Sequence, residues 1–114
     1  GAGGCSKVMS NEDRHVTKNF LLLAYDHKDE GAYDRRMQVR SQHIALIDDL
    51  REHGQAIVGA AILDEQEKMV GSTIFFSLSK AELEEYLDKE PYVTNNVWDK
   101  IIIQECKIGP SFLK

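Results

Sequence analysis

Long apolar runs are missing from this sequence. The longest stretches, Phe20–Tyr25 and Ala56–Leu63, fall far short of the roughly 18 residues that a membrane-spanning helix needs. No charged-then-apolar leader precedes them, so a soluble, cytoplasmic protein is expected. Positive charge is also scarce: 14 Lys and Arg against 19 Asp and Glu leave a net charge of -5. Phosphate binding needs a basic footprint, which excludes nucleic acid or an anionic membrane as the main partner. Only two cysteines occur, Cys5 and Cys106, with no CxxC or Cys/His spacing. A zinc site or redox pair is therefore not expected, and both are read as free thiols in a reducing compartment. His15 and His27 join no ligand set, and His53 suits a helix end. No metal and no cofactor is expected.

What is present is the composition of one soluble globular domain: 114 residues, 42% hydrophobic and 29% charged. Residues 1–18 mix Gly, Ser, Asn, Asp and Lys without apolar periodicity and read as a flexible arm. The remainder, 19–114, reads as a single domain. Asn19–Asp26 is a strand apolar at consecutive positions, the mark of a strand covered on both faces. Asp34 suits an N-cap for a helix over Arg35–Leu50 that ends at His53-Gly54. Strands follow over about Ala56–Leu63 and Val70–Leu78, joined by a polar hairpin through Asp64–Lys68. Ser79-Lys80-Ala81-Glu82 is a capping box opening a second helix, which Glu90-Pro91 ends because proline disfavours the α conformation in the residue before it. Ile101–Cys106 is the last strand.

The helix over Arg35–Leu50 carries the most information. Met37, Val39, Ile44, Leu46, Ile47 and Leu50 form its apolar face, yet Arg36, Arg40 and His43, at i, i+4 and i+7, project within the same arc. Unpaired buried charge costs several kcal/mol. These three therefore snorkel at the helix edge, find carboxylates, or line a polar cavity under the helix.

The element order β-α-β-β-α-β is that of an α+β ferredoxin-like sandwich, an antiparallel four-stranded sheet with two helices on one face. Leu21–Leu23, Ile57-Val58, Ile74–Phe76 and Ile101–Ile103 supply apolar side chains to both faces of that sheet. A second copy of the chain is expected to cover the helix-free face, giving a homodimer with Ile57 and Phe75 or their neighbours at the contact.

Four short blocks, Tyr25-Asp26, Arg40-Ser41-Gln42-His43, Gly71-Ser72-Thr73 and Glu90-Pro91-Tyr92-Val93, stand in an order and at separations that resemble the YCII-related (YciI-like) family. The resemblance spans about Phe20 to Lys107. It implies a dimeric α/β-barrel protein of the ferredoxin-like group with a cleft holding a histidine–aspartate pair. His43 matches the histidine, whereas Glu90 stands where the family usually has its aspartate.

Two readings are open for each candidate. His43 is a satisfied structural histidine or a general acid/base, and Glu90 is a solvated helix end or the partner of His43. Arg40 snorkels or pairs with Asp48 or Asp49, or else binds a substrate oxygen beside His43, and Arg36 has the same choice. Ser72 bonds backbone or presents its hydroxyl to the cleft. Tyr92 and Trp98 are core or interface aromatics, with Tyr92 the further candidate for the substrate side. Asp26 is read as capping a turn. The expected function is a cofactor-independent lyase or isomerase acting on a small anionic or phenolic molecule. The alternatives are a non-catalytic binding or assembly module and a cofactor-free monooxygenase of the same fold.

Overall fold

Alternation on the strands decides how the sheet is used. In β1 (Thr17–Asp26), Phe20, Leu22, Ala24 and Asp26 are buried, while the residues between them are half-buried or exposed. In the computed structural model, which describes residues 11–113, β1 is followed by α2 (Ala32–Glu52), β2 (Ala56–Leu63), β3 (Met69–Ser79), α3 (Lys80–Lys89), the short α4 (Pro91–Thr94) and β4 (Trp98–Cys106). A single turn of helix, α1 (Asn11–Arg14), precedes β1, and a 3-10 turn over Pro110–Phe112 follows β4. The strands lie in the order β2-β3-β1-β4, every neighbour antiparallel. This is the ferredoxin-like βαββαβ fold. Among the described residues no helix is long and apolar enough to cross a membrane.

Register separates the two faces. Leu22 sits opposite Ile74 and Ile103 under the helices, whereas Leu21 and Leu23 sit opposite Phe75, Thr73, Gln104 and Ile102 on the helix-free side. The helix-side core gathers Phe20, Leu22, Ile74, Phe76 and Leu78 from the sheet with Leu83 and Tyr86 from α3. Each large apolar side chain removed from water there contributes about 1.5–3 kcal/mol. In β2 the pairing steps from Ala56–Phe76 to Val58–Phe75, so Ile57 is the extra residue of a bulge. Gly71 answers to a close approach: a Cβ there would lie 2.6 Å from the Ala24 carbonyl oxygen and 3.1 Å from Ile62 Cδ1.

Several boundaries differ from the sequence expectation. Helix α2 starts at Ala32 after Gly31, and Asp34 lies in its first turn instead of at the cap. Asp29 organises this end of the helix in its place. The Asp29 carboxylate accepts the Gly31 N–H and holds Arg35, folding the chain into the helix before Asp34 is reached. At the other end Gly54 takes the left-handed conformation, φ 74°, as expected. The apolar arc of α2 is rotated relative to the wheel. Met37 and Ile44 are 40% and 37% exposed, while Arg36 is buried beside Val39. The boundary expected after residue 18 falls inside an element. Thr17 and Lys18 form the first rungs of β1 against Ser79 and Leu78, and Arg14 of α1 pairs with Glu84 of α3, while residues 1–10 lie outside the described region. Strand β4 begins at Trp98, which is buried beneath the helices and paired with Asp26 across a bulge.

Ser79 closes its capping box in both directions, accepting the Glu82 N–H at 3.1 Å and donating its own N–H to the Glu82 carboxylate at 2.8 Å. Replacing it by alanine removes one of the two bonds. Ser79→Ala is expected to lower stability by about 1 kcal/mol, roughly 4 °C in Tm, in a thermal melt, without altering the site described next.

Candidate active site

Two side-chain networks meet under α2. The first grows from the inward period of β1, whose last buried position is Asp26, and from the inward period of β3, which presents Ser72 two residues before Ile74. Arg36 reaches down from α2 between them. Its Nη1 donates to both oxygens of Asp26 at 3.0 and 3.1 Å, and its Nη2 donates to Ser72 Oγ at 2.9 Å. The Trp98 indole donates to the same Ser72 oxygen at 3.3 Å. Arg36 and Asp26 are buried together, so this pair is held by mutual neutralisation and hydrogen bonds. Burial pushes the Asp26 carboxyl above its ordinary value, and the Arg36 charge opposes that rise.

The second network is built where α3 meets α4. Glu90 ends α3 in an extended conformation, as the following Pro91 requires, and in the same position caps α4 with its own side chain. Its carboxylate is wholly buried. One oxygen, Oε1, receives the Tyr92 N–H at 3.0 Å and lies 2.8 Å from His43 Nδ1. The other, Oε2, receives the Tyr86 hydroxyl from one turn earlier on α3. Glu90 is thus no solvated helix end. A charged Glu90 accepts on this contact as well, and the proton of the His43 bond then sits on Nδ1. Among the described residues Nε2 of His43 has no hydrogen-bond partner. Burial, followed by the nearby Glu90 charge, raises the Tyr86 hydroxyl well above its ordinary pKa.

Tyr92 joins the two networks. The His43 ring stacks on it with centroids 4.1 Å apart and planes 17° from parallel, and the Arg36 guanidinium sits over the same ring at 4.6 Å. Burial raises the Tyr92 hydroxyl, with the Arg36 and Arg40 charges acting against it. A cavity of about 210 Å³ opens beside this assembly, bounded by Arg40, His43, Ser72 and Tyr92 and by Gly59 and Ala61 on β2. Those two small residues leave the space under α2 unfilled. Arg40 pairs with neither Asp48 nor Asp49. Among the described residues it makes no hydrogen bond or ion pair, and its guanidinium is left to the cavity.

The six residues singled out in the sequence, Arg36, Arg40, His43, Ser72, Glu90 and Tyr92, therefore fall in one place, five of them on the cavity wall and Glu90 behind His43. Sequence reasoning misses two members. Asp26 reads as a turn cap, although it continues the inward series Phe20, Leu22, Ala24; Tyr86, which lies i-4 from Glu90, is not singled out. Among the described residues no group of three or more His, Cys, Asp or Glu is placed to hold a metal ion.

Fold and site together define a small ferredoxin-like protein with a histidine–carboxylate pair facing a cleft. The chain belongs to the YCII-related domain family, whose pattern matches residues 19–107. No curated protein matches it. Among solved structures it is similar to 5-chloro-2-hydroxyhydroquinone dehydrochlorinase from Burkholderia phenoliruptrix AC1100, in complex with 2,5-dihydroxybenzoquinone. The TM-score is 0.69 at 20% identity, over 82% of this chain and 97% of that one. It is also similar to a dimeric ferredoxin-like protein from an uncultured marine organism, with a TM-score of 0.52 at 18% identity over 92% of this chain and 99% of that one. At such identities the likeness shows the fold alone.

The Asp26–Arg36 pair makes a specific demand on stability. Asp26→Ala leaves a buried guanidinium without its counter-charge and is expected to lower the free energy of unfolding by about 3–5 kcal/mol in denaturant titration. Adding Arg36→Met removes the stranded charge, so the double variant should recover most of the loss. A single variant as stable as the parent would show that the pair does not hold the site together.

Proposed function

We propose that this protein is a cofactor-independent enzyme in which His43 is the general acid/base and Glu90 its orienting carboxylate. The observation that carries the reading is the 2.8 Å contact from His43 Nδ1 to a carboxylate with no access to water, beside a cavity. With Nδ1 donating to Glu90, Nε2 takes a proton from the substrate. Negative charge then develops on a substrate oxygen. Arg40, free of any described partner, is the charge placed to meet it. Ser72 Oγ already accepts from Arg36 and Trp98, so the hydroxyl's own proton remains for donation to the same oxygen. The imidazolium returns its proton to another atom or to a leaving group, which makes the reaction an isomerisation or an elimination. The substrate class is a small phenol, enol or hydroxy-quinone that can carry an oxyanion. A dehydrochlorinase of the same fold performs an elimination, which supports the reading as an analogy.

The competing reading is a binding module that keeps the cavity without turnover. His43→Asn separates the two, since asparagine retains an N–H for Glu90 and loses Nε2. Assayed on a panel of halogenated and hydroxylated hydroquinones, the parent is expected to turn over at least one member. His43→Asn should lower kcat/KM by at least about 10²-fold with Tm nearly unchanged. Binding without turnover in the parent would make the protein a binding module, and equal turnover in the variant would remove His43 from the mechanism.

The assembly proposed for this enzyme is a homodimer through the helix-free face of the sheet. Val58 is 59% exposed there and Tyr25 and Ile102 40% each, while Ile57, Val58, Phe75 and Phe112 line a largely apolar depression on that side. A structural neighbour of this fold is a dimer. Because Val58 is open in the isolated protomer, a lysine there is tolerated by the fold but not by a buried interface. Val58→Lys is therefore expected to convert dimer to monomer in sedimentation velocity while circular dichroism stays native. A parent that sediments as a monomer at micromolar concentration would overturn this assembly.

A further inference from the structure

Glu90 is buried where no water reaches it, and among the described residues neither Arg36 nor Arg40 is bonded to it. Arg36 is committed to Asp26 and Ser72, and Arg40 lines the cavity together with Tyr92 and His43. Three donors surround the carboxylate: the Tyr92 N–H, His43 Nδ1 and the Tyr86 hydroxyl. The first is backbone and invariant to substitution. The second belongs to the group whose basicity is at issue. Tyr86 is the one side chain on the opposite oxygen.

We propose that Tyr86 is a positioning residue: its hydroxyl keeps the charge on Glu90 and so keeps Nε2 of His43 unprotonated and ready to act as a base. The inference rests on the His43–Glu90 reading above and adds a residue to it that never touches substrate. Its logic is a comparison of two protonation states of the pair. In the basic state Glu90 is an anion facing a neutral imidazole, and each donor on its oxygens stabilises it. When the pair takes up a proton, the anion faces an imidazolium or receives the proton itself, and the donor matters less. Removing Tyr86's hydroxyl thus destabilises the basic state more, and the pair binds its proton more tightly. The other ionisable groups facing the pair are Arg36, Arg40 and Asp48 on α2, Asp26 on β1 and Tyr92 on α4, and none of them is altered by this change.

The test is ¹⁵N NMR of the His43 ring across a pH titration, on the parent and on Tyr86→Phe. Phenylalanine retains the ring that packs on Phe76, with centroids 5.0 Å apart. Losing a hydrogen bond to a buried charge is expected to raise the proton affinity of the pair about tenfold, moving the His43 midpoint up by about one pH unit. In the protonated pair the Nδ1 signal should move toward that of an acceptor nitrogen as Glu90 takes the proton. The kcat/KM pH profile should move by the same amount. A purely structural role lowers Tm and leaves the midpoint where it was, and that result overturns the proposal. The underlying reading fails differently: if Nδ1 of the parent already lacks its proton above the midpoint, Glu90 is not the acceptor assumed. Replacing Tyr86 by 3-fluorotyrosine keeps the shape and strengthens the donor. It should lower the midpoint, and an unmoved one overturns the proposal even if Tyr86→Phe does not fold.

Discussion

A carboxylate without water has to be surrounded by donors, and the position of Glu90 makes the surrounding of one carboxylate the organising constraint of the helical layer. An unsatisfied charge there would cost a large part of the marginal stability of a domain of this size. Three elements answer it: α3 through Tyr86, α4 through the Tyr92 N–H, and α2 through His43. The same residue stops α3, starts α4 and fixes the imidazole. Helix α2 is therefore docked by a polar contact near its middle and by Leu46, Ile47 and Leu50 toward its C-terminal end. That division explains why a helix with so ordinary an apolar pattern carries a histidine in its buried stripe.

The two arginines on the same stripe differ in role because of what lies beneath them. Arg36 meets Asp26 and Ser72 and serves the structure; Arg40, one turn on, meets the space left by Gly59 and Ala61. The backbone does not demand glycine at position 59. A Cβ there would lie 3.4 Å from the Thr73 carbonyl oxygen and 3.5 Å from Ile74 Cγ1, ordinary contacts in a sheet. Its missing side chain instead keeps the cavity open below Arg40. One guanidinium anchors the wall, and the next opens on the cavity without a partner among the described residues.

How far the sequence reaches is visible residue by residue. The order of elements was legible because the strands alternate or run continuously apolar and because Ser79, Gly54 and Pro91 punctuate them with known backbone chemistry. The anomaly on α2 was legible too, since a helix wheel exposes a cation among apolar neighbours. Its resolution was not: whether Arg36 pairs with Asp26 or with a surface acid depends on contacts across ten residues of chain and a change of element, which no periodicity encodes. Met37 and Ile44 are misplaced by the wheel for the same reason. The wheel weighs hydrophobicity, whereas the docked orientation of α2 is set by the carboxylates beneath it. Glu90 is the sharpest case, because the residue before a helix-ending proline is ordinarily solvated, and it is the meeting of α2, α3 and α4 around it that removes it from water.

The choice of glutamate at this position fits the number of bonds it makes. A residue that caps α4 needs only a short side chain to reach the Tyr92 N–H, and aspartate would do that well. Reaching His43 on a neighbouring helix with the same oxygen, and Tyr86 one turn back with the other, asks the carboxylate to stand further from its own backbone. The extra methylene supplies that distance and adds one more rotatable bond, whose freedom would blur the position of Nε2 if the group were loosely held. Three donors on two oxygens remove that freedom. The longer side chain and the tyrosine that steadies its far oxygen are thus a matched pair, and the geometry at His43 depends on both.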